Sequence, residues 1–463
     1  MCRPKNKTLI ERKTLWRMIL PIFFAVVFAI PISAQNVFPP ILTLEKAVET
    51  AVQNNPQTRM TEAGIKLAEA KIAEAKTGKS PFVNFSQNVM RSNNPVFVFG
   101  SLLEQGRFGA ANFAIDKLNH PSGLNNFRSL VSVQKPLFDQ HQTRSHVTQA
   151  NFGKQQAELQ AEFVRQNLRF GVIKQFYGTI LAQEQVKVTT EAVKAAEANR
   201  KKTRDLADVG MTTEADFLAA EVELANAEQQ KLEAESDRIV SLSALNITLG
   251  EKPDFQYEIN TNLQEKFFQV EDQDELLKLA LENRADFQKT KLAVEQSKEQ
   301  TKSVINTKLP RVDVFGNYGY SSPYIANGSS DYTVGISLNY TLYDAGRKAR
   351  IEQTTSAEML AEAQKDDLAN QIRLEVIKSY QNYQTSRAKI QVSVKAIAQA
   401  EEVLRIVQDR YKFGVSTITE VLRAETALVR AKQNLLSARH DYYIAYAAIL
   451  LATGRLTDVR FFN

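Results

Sequence analysis

Two similar stretches of the chain place a carboxylate at a fixed distance after a single glycine. "TRDLADVGMTTEADFL" contains Gly210 and then Asp216, and "DRYKFGVSTITEVL" contains Gly414 and then Glu420. The two glycines are 414 − 210 = 204 positions apart. Glycine adopts a positive φ at little cost and often ends helices at the C′ position. Each stretch therefore predicts two helices that reverse direction at a tight turn.

The carboxylates after these turns have two possible roles. Thr213 and Asp216, like Thr417 and Glu420, have the spacing of a capping box, in which a hydroxyl and a carboxylate satisfy free backbone N–H groups. An acid in the first turn of a helix also interacts favourably with the helix dipole. The alternative is a functional charged site, and the sequence leaves both roles open.

The other reactive side chains form no recognisable catalytic or metal site. The histidines are scattered, and His141 and His146 are five residues apart, so they do not share a helical face. We find no phosphate-binding glycine loop, dinucleotide-binding motif or nucleophile triad. The sequence therefore predicts no cofactor and no metal site.

The first 34 residues are typical of a secretory signal peptide. Residues 1–17 are basic, residues 18–32 are apolar, and Ser33-Ala34-Gln35 predicts cleavage after Ala34. This segment contains six Lys and Arg and one Glu, so it contributes +5 of the net charge of +6. A nearly neutral mature chain does not favour a nucleic-acid partner. The only cysteine, Cys2, leaves with the signal, which excludes disulfides.

No later stretch approaches the roughly 18 apolar residues that a membrane-spanning helix requires. A membrane role would therefore depend on β-strands.

The chain contains two tandem repeats. "KSPFVNFSQN" in the first half resembles "KLPRVDVFGN" in the second, and "VSVQKPLFD" resembles "ISLNYTLYD". We predict a first repeat at 35–250, a linker at 251–272, a second repeat at 273–454 and a tail at 455–463. Each repeat has the order helix, strand, loop, strand, very long helix, glycine turn, helix.

The predicted helices differ greatly in length. The first covers 44–77 and ends at Gly78, and its counterpart begins near Asp272. The long helices follow Asp139 and Asp344, which we predict as their N-cap residues. Each long helix would span about 100 Å, which suggests a helical shaft.

Two strands are predicted in each repeat, and the last of them has the clearest pattern. Tyr332, Val334 and Ile336 begin an apolar series that alternates with polar or small residues up to Leu342. Such a strand suits a half-buried sheet, but with a secretory signal we favour the lipid-facing wall of a barrel. The predicted strands cover 82–91, 127–137, 311–320 and 331–342.

With the signal, the repeat order and the turn motif "YxxGxST…EVL", the chain resembles the TolC-type outer-membrane efflux proteins. The resemblance implies a mainly α fold with a small β part. Three chains would share a 12-stranded outer-membrane β-barrel, four strands each, above a periplasmic α-barrel of long helical hairpins. It also implies a non-enzymatic exit duct in the outer membrane, with an inner-membrane transporter and a periplasmic adaptor as partners.

The resemblance assigns roles to residues at the two turns. Gly210 and Gly414 would form the periplasmic tip, and the neighbouring hydroxyl residues would contact the adaptor. Those adaptor-contact residues are Thr212, Thr213, Ser416 and Thr417. The tunnel-mouth gate would consist of Asp216, Tyr411, Glu420 and Arg423.

Arg423 departs from the family, which has a second acid at this position. This mouth is therefore expected to be less acidic, and Arg423 to pair with Glu420. The threonines and serine are also placed to cap helices, and Tyr411 to pack between helices, so these simpler roles remain open.

Two other functions fit the sequence. A type I protein secretion duct would have the same architecture. A soluble periplasmic coiled-coil scaffold would pack its short sheets on its own helices, but it needs no uninterrupted apolar strand face. The loop at 93–126 has no assigned role, although its aromatic residues predict a packed structure.

Overall fold

The computed structural model describes residues 40–259 and 267–457. The predicted signal at 1–34 lies outside these residues, as do parts of the predicted linker and tail. In the described chain the tandem-repeat, mainly helical fold is confirmed. The first repeat contains α1 (Leu44–Asn54), α2 (Pro56–Lys76), β1 (Phe82–Ser92), α3 (Pro95–Glu104), α4 (Ile115–Asn119), β2 (Leu124–Phe138), α5 (Gln142–Asp208) and α6 (Glu214–Leu249). The second contains α7 (Gln273–Asn283), α8 (Ala285–Asn306), β3 (Arg311–Ser322), β4 (Ser329–Asn339), α9 (Arg347–Lys412) and α10 (Ile418–Ala452).

The first helix of each repeat is broken into two, which corrects the prediction of one helix. Asn55 is extended (φ −67°, ψ 133°) because it precedes Pro56, and its side chain caps α2. Arg284 has the same conformation (φ −65°, ψ 122°) without a proline. Its guanidinium instead pairs with Asp286 in the first turn of α8 at 2.8 Å and with Glu375 of α9 at 2.6 Å, and these two contacts hold the break.

The end of α2 also differs from the expected glycine cap. Gly78 lies in a 3-10 turn (Thr77–Lys79) and is not among the positive-φ glycines. A Cβ at this position would lie 2.5 Å from the Thr143 hydroxyl. Glycine is therefore required here for close packing against α5 and not for its φ.

The four strands form one antiparallel sheet in the order β1-β2-β3-β4. The last strand ends at Asn339, three residues before the predicted end, and β3 continues to Ser322. The pairing aligns Phe85 with Val131, Val131 with Tyr318, and Tyr318 with Tyr332, so these side chains share one face.

We call this side of the sheet the apolar face. Its members are exposed in the single chain: Val83, Phe85, Val89, Val131, Val133, Tyr318, Tyr332, Val334, Ile336 and Leu338. The opposite side, the polar face, is composed mainly of hydrophilic residues: Asn84, Ser86, Asn88, Asn126, Arg128, Ser132, Asn317, Ser321, Asp331 and Thr333. An exposed apolar face of this size requires a partner or an apolar solvent.

The long helices α5 and α9 contain 67 and 66 residues and pack along α6 and α10. The largest buried cluster lies where the short helices α1 and α7 pack on them. Its fully buried members include Ala47, Val172, Ile173, Leu245, Leu249, Leu276, Ile372, Tyr442 and Ile449. Among the described residues, no helix is both long and apolar enough to cross a membrane.

Two further glycines with positive φ predict a measurable difference in stability. Gly414 (φ 71°) has open space where a Cβ would lie, whereas a Cβ at Gly454 (φ 68°) would be 2.9 Å from the backbone of Asn283 and Arg284. Alanine at either position costs about 1–2 kcal/mol in the left-handed region, and Gly454→Ala adds a backbone clash. We expect a clearly lower thermal midpoint for Gly454→Ala than for Gly414→Ala. Equal losses would contradict this account of Gly454.

Candidate functional site at the paired turns

The two glycine turns have the same geometry. Gly210 has φ 72°, and the N–H groups of Gly210 and Met211 donate to Ala207 and Leu206 at 2.9 and 2.8 Å. Gly414 has φ 71° and ends α9 through equivalent bonds to Tyr411 and Arg410. A Cβ added at either glycine would meet no atom within 4 Å, so only the positive φ requires glycine at these positions.

Asp216 takes part in a complete capping box at the start of α6. The Thr213 hydroxyl accepts from the Asp216 N–H at 3.2 Å, and the Asp216 carboxylate accepts from the Thr213 N–H at 3.2 Å. Hydroxyls of Thr212 and Thr213 also donate to this carboxylate, at 2.8 and 2.7 Å. These bonds lower the pKa of Asp216, Thr213 contributing most. The acid is therefore held charged against the end of the helix.

The start of α10 is capped less completely. The Thr417 hydroxyl accepts from the Glu420 N–H at 3.4 Å, and the Ser416 hydroxyl donates to the Glu420 carboxylate. The N-cap role left open for Thr213 and Thr417 is thus present in the structure.

The two turns lie side by side and enclose a cavity of about 420 Å³, which we call the tip groove. It brings together residues from both repeats that the sequence placed about 200 positions apart. Its lining includes all four predicted adaptor-contact residues, the gate residues Asp216 and Tyr411, and Gly414; the remaining lining residues are Lys202, Leu206, Met211, Lys412 and Ile418.

Tyr411 is half-buried between the two hairpins. The Lys202 ammonium lies 4.8 Å from the centroid of its ring, and the ring packs against the cluster of Ile418, Val421 and Leu422. Its hydroxyl is buried beside Thr203 and forms no well-aligned hydrogen bond with a described residue. Burial raises the pKa of Tyr411, and the charge of Asp216 raises it further.

Glu420 and Arg423 lie outside the groove lining and are both exposed. The prediction that they form an ion pair is wrong, because no such pair occurs among the described residues. Glu420 is instead bonded to Ser416 within its own turn.

Glu425 is a tip residue that the sequence did not identify. Its carboxylate accepts from Asn199 of α5 at 2.5 Å and from Gln408 of α9 at 3.4 Å. Burial raises the pKa of Glu425, and the nearby Glu223 raises it further. One position later, Thr426 donates to Glu223 of α6 at 3.1 Å. No local signal distinguishes Glu425, because its burial comes from a helix of the other repeat.

Asp139 and Asp344 lie at the opposite ends of the long helices, and their N-cap assignment is wrong by two positions. The N-cap residues are His141 and Gly346. Asp139 still accepts from the Thr143 N–H at 2.7 Å, so its carboxylate satisfies a free group of the first turn. Among the described residues, no group of three or more potential ligands is arranged to bind a metal.

Comparison with known proteins gives the family of this fold. The family model described as outer membrane efflux protein matches residues 47–251 and 276–455, one block for each repeat. The chain belongs to the outer membrane efflux protein family. The predicted resemblance is thereby confirmed, and the protein is an outer-membrane efflux channel whose helical part lies in the periplasm.

Similar proteins share this architecture across most of their length. The outer membrane efflux protein BepC of Brucella suis is 24% identical over 90% of this chain and 86% of its own. The alkaline protease secretion protein AprF of Pseudomonas aeruginosa is 23% identical over 72% of this chain and 71% of its own. The solved structure of the outer membrane protein VceC from Vibrio cholerae has a TM-score of 0.73 and 18% identity, and the match covers 89% of this chain and 96% of that one.

Glu425 predicts a pH dependence of the contact between the repeats. Because its pKa is raised while buried, the packed arrangement binds the proton more tightly than a solvated one. Low pH therefore favours packing, and the contact weakens as pH rises through the raised pKa. We expect hydrogen exchange around Asn199 and Glu425, corrected for its intrinsic pH dependence, to accelerate with rising pH.

Glu425→Gln keeps the shape and removes the titration, so its exchange should not respond to pH in this way. Glu228→Gln, an exposed position on α6, serves as the matched control. A pH response that persists in Glu425→Gln would show that another group carries it.

Proposed function

We propose that three copies of the chain assemble into the exit duct of a tripartite efflux pump. The β1 and β4 edges lie at the two ends of the four-stranded sheet, and an open edge is not tolerated in lipid. Known membrane barrels have at least about eight strands, so one chain is too small. Three sheets of four strands give 12 strands with the apolar face toward lipid and the polar face toward the interior.

The observation that carries this proposal is the opposition of the two faces of the sheet. Tyr332, Val334, Ile336 and Leu338 are 67–80% exposed in the single chain, which a soluble protein does not sustain. A soluble scaffold would have covered this face with its own helices.

Cell fractionation distinguishes the proposed duct from the alternative of a soluble scaffold. We expect the protein in outer-membrane detergent extracts as a trimer that dissociates on heating. A soluble monomer in the periplasmic fraction would refute the duct.

The tip groove is the proposed docking and gating site. Thr212, Thr213, Ser416 and Thr417 line it from both repeats, which suits contact with a periplasmic adaptor at the joint between hairpins. Tyr411 and Glu425 connect the hairpins across this joint. Adaptor binding would separate the hairpins and open the tunnel, and an inner-membrane transporter would supply the cargo.

Protein export by a type I secretion system is the second candidate. It is favoured by the similarity to AprF, whose name describes secretion of alkaline protease. Efflux of small molecules or ions remains the first candidate because the matching family model is described as outer membrane efflux protein and BepC is named as an efflux protein.

Loss of the Tyr411 ring is expected to open the tip. Tyr411→Ala removes the contact with Lys202 of the other hairpin, so the two hairpins are held together less firmly, and it loosens the packing on Ile418 within its own hairpin. Single-channel conductance in planar bilayers should rise relative to the parent protein. Tyr324→Ala, an exposed position at the far end of the sheet, should leave conductance unchanged. An intact Tyr411→Ala trimer with parental conductance would contradict the gate.

Glu420 and Arg423 are expected to have opposite effects on ion preference. Both are exposed near the mouth, so their charges act on ions that pass it. Reversal potentials in a salt gradient should show a weaker cation preference for Glu420→Ala and a stronger one for Arg423→Ala. If neither variant shifts the reversal potential, these residues do not line the mouth.

A further inference from the structure

The segment between β1 and β2 folds back onto the polar face of the sheet. It lies at the end of the strands farthest from the long helices, and it includes α3, which begins after the cap residue Asn94. Helix α3 packs against β2, β3 and β4. The equivalent connection in the second repeat, 323–328, is a short turn without a helix. This helix therefore has no counterpart in the other repeat.

An ionic cluster fastens the end of α3 to the sheet. The Glu104 carboxylate lies 2.7 Å from the Arg128 guanidinium, which also lies 3.4 Å from Asp331 of β4. The hydroxyl of Ser321 donates to Glu104 at 3.2 Å, and Arg128 donates to the same hydroxyl at 3.1 Å. Arg128 of β2 thus connects Glu104 of the helix to one residue each of β3 and β4, and it lies between two carboxylates.

A second contact beside the cluster is more deeply buried. The Gln105 side-chain amide donates to the side-chain oxygen of Asn126 at 3.0 Å and to the backbone carbonyl of Asn125 at 2.9 Å. Gln105 and Asn126 are 3% and 2% exposed, and Ser321 is fully buried. The polar face is covered at this point, whereas Asn84 and Asn88, on the edge strand β1, are exposed.

Aromatic packing makes the segment a compact unit. The Phe108 ring contacts Phe99 and Phe113 edge-on, with centroid distances of 4.9 and 5.0 Å. Val98 and Ser101 of α3 are buried. The segment is consequently a folded body held at defined points on the sheet.

We propose that α3 is a plug that narrows the outer end of the duct, and that Arg128 is the residue that positions it. This inference rests on the proposed function, because the polar face becomes the interior of the duct only in the assembled barrel. Three copies would carry three such helices around one opening. The plug restricts bulky solutes that approach from outside, independently of the gate at the periplasmic tip.

The test measures access to the interior from the outside of intact cells. The predicted mature chain has no cysteine, so Asn84→Cys places a single thiol on the exposed part of the polar face. A small charged thiosulfonate reports whether this face is open to solvent, and a bulky polyethylene-glycol maleimide reports the width of the outer opening. Phe85→Cys, on the adjacent apolar face, is the control for lipid-facing positions.

Three variants in the Asn84→Cys background then test the anchor. Arg128→Ala leaves Glu104 and Asp331 to repel each other, so bulky labelling should accelerate about tenfold, equivalent to ~1.4 kcal/mol. Glu104→Ala removes the tether without creating repulsion and should have a smaller effect. Arg91→Gln removes an arginine that bonds Asn125 outside the cluster and should leave labelling unchanged. Trimer content on heated and unheated gels verifies assembly, and Glu104→Ala provides the test if Arg128→Ala fails to assemble.

The outcomes separate failure of the plug from failure of the duct. If the small reagent labels Asn84→Cys and the bulky reagent labels the parent and both anchor variants equally fast, the plug is refuted and the duct is not. If the small reagent labels Phe85→Cys and not Asn84→Cys, the polar face is not the interior, and the plug fails together with the proposed barrel.

Discussion

The unpaired edges and exposed apolar face of the four-stranded sheet are the constraint on which the rest of the structure depends. Backbone N–H and C=O groups at an edge must find partners, and in lipid water cannot supply them. Large apolar side chains such as Tyr332 and Ile336 are not covered by any element of the described part of their own chain. Assembly with other copies resolves both problems at once. In the proposed assembly the helices follow the same symmetry as the sheets, so hairpins from several chains would form a wall around a common axis.

The tandem repeat explains how one chain provides two similar hairpins to such a wall. Each repeat contributes two strands to the sheet and then continues into a helix of 66 or 67 residues before the chain reverses direction. The two repeats meet near the tip groove, where Tyr411 and Glu425 connect helices from different hairpins.

The structure also distinguishes the roles of the two acids that follow the turns. Asp216 caps its helix and lines the groove, so capping and gating are compatible there, whereas the Glu420 carboxylate accepts from the Ser416 hydroxyl and lies outside the groove.

The sequence predicted the features that follow from local periodicity. Alternation identified β4, and glycine position identified both turns and with them the ends of the long helices. The break at Asn55 also had a local signal in Pro56, which the prediction overlooked. The break at Arg284 had none, because its ion pair with Glu375 comes from a residue 91 positions away. The burial of Glu425 and the docking of α3 likewise depend on side chains contributed by distant elements. Long-range contacts of this kind leave no pattern in a short window.

Covalent linkage between the sheet edges of neighbouring chains tests the central claim most directly. Pairs of cysteines, one on β1 and one on β4, can be scanned along both strands in a chain whose only native cysteine precedes the predicted cleavage site. The proposed closed barrel predicts that some pairs on the same face form intermolecular disulfides, with products that end at the covalent trimer. Edge strands that never cross-link between chains in an assembled protein, at any register, would contradict the barrel.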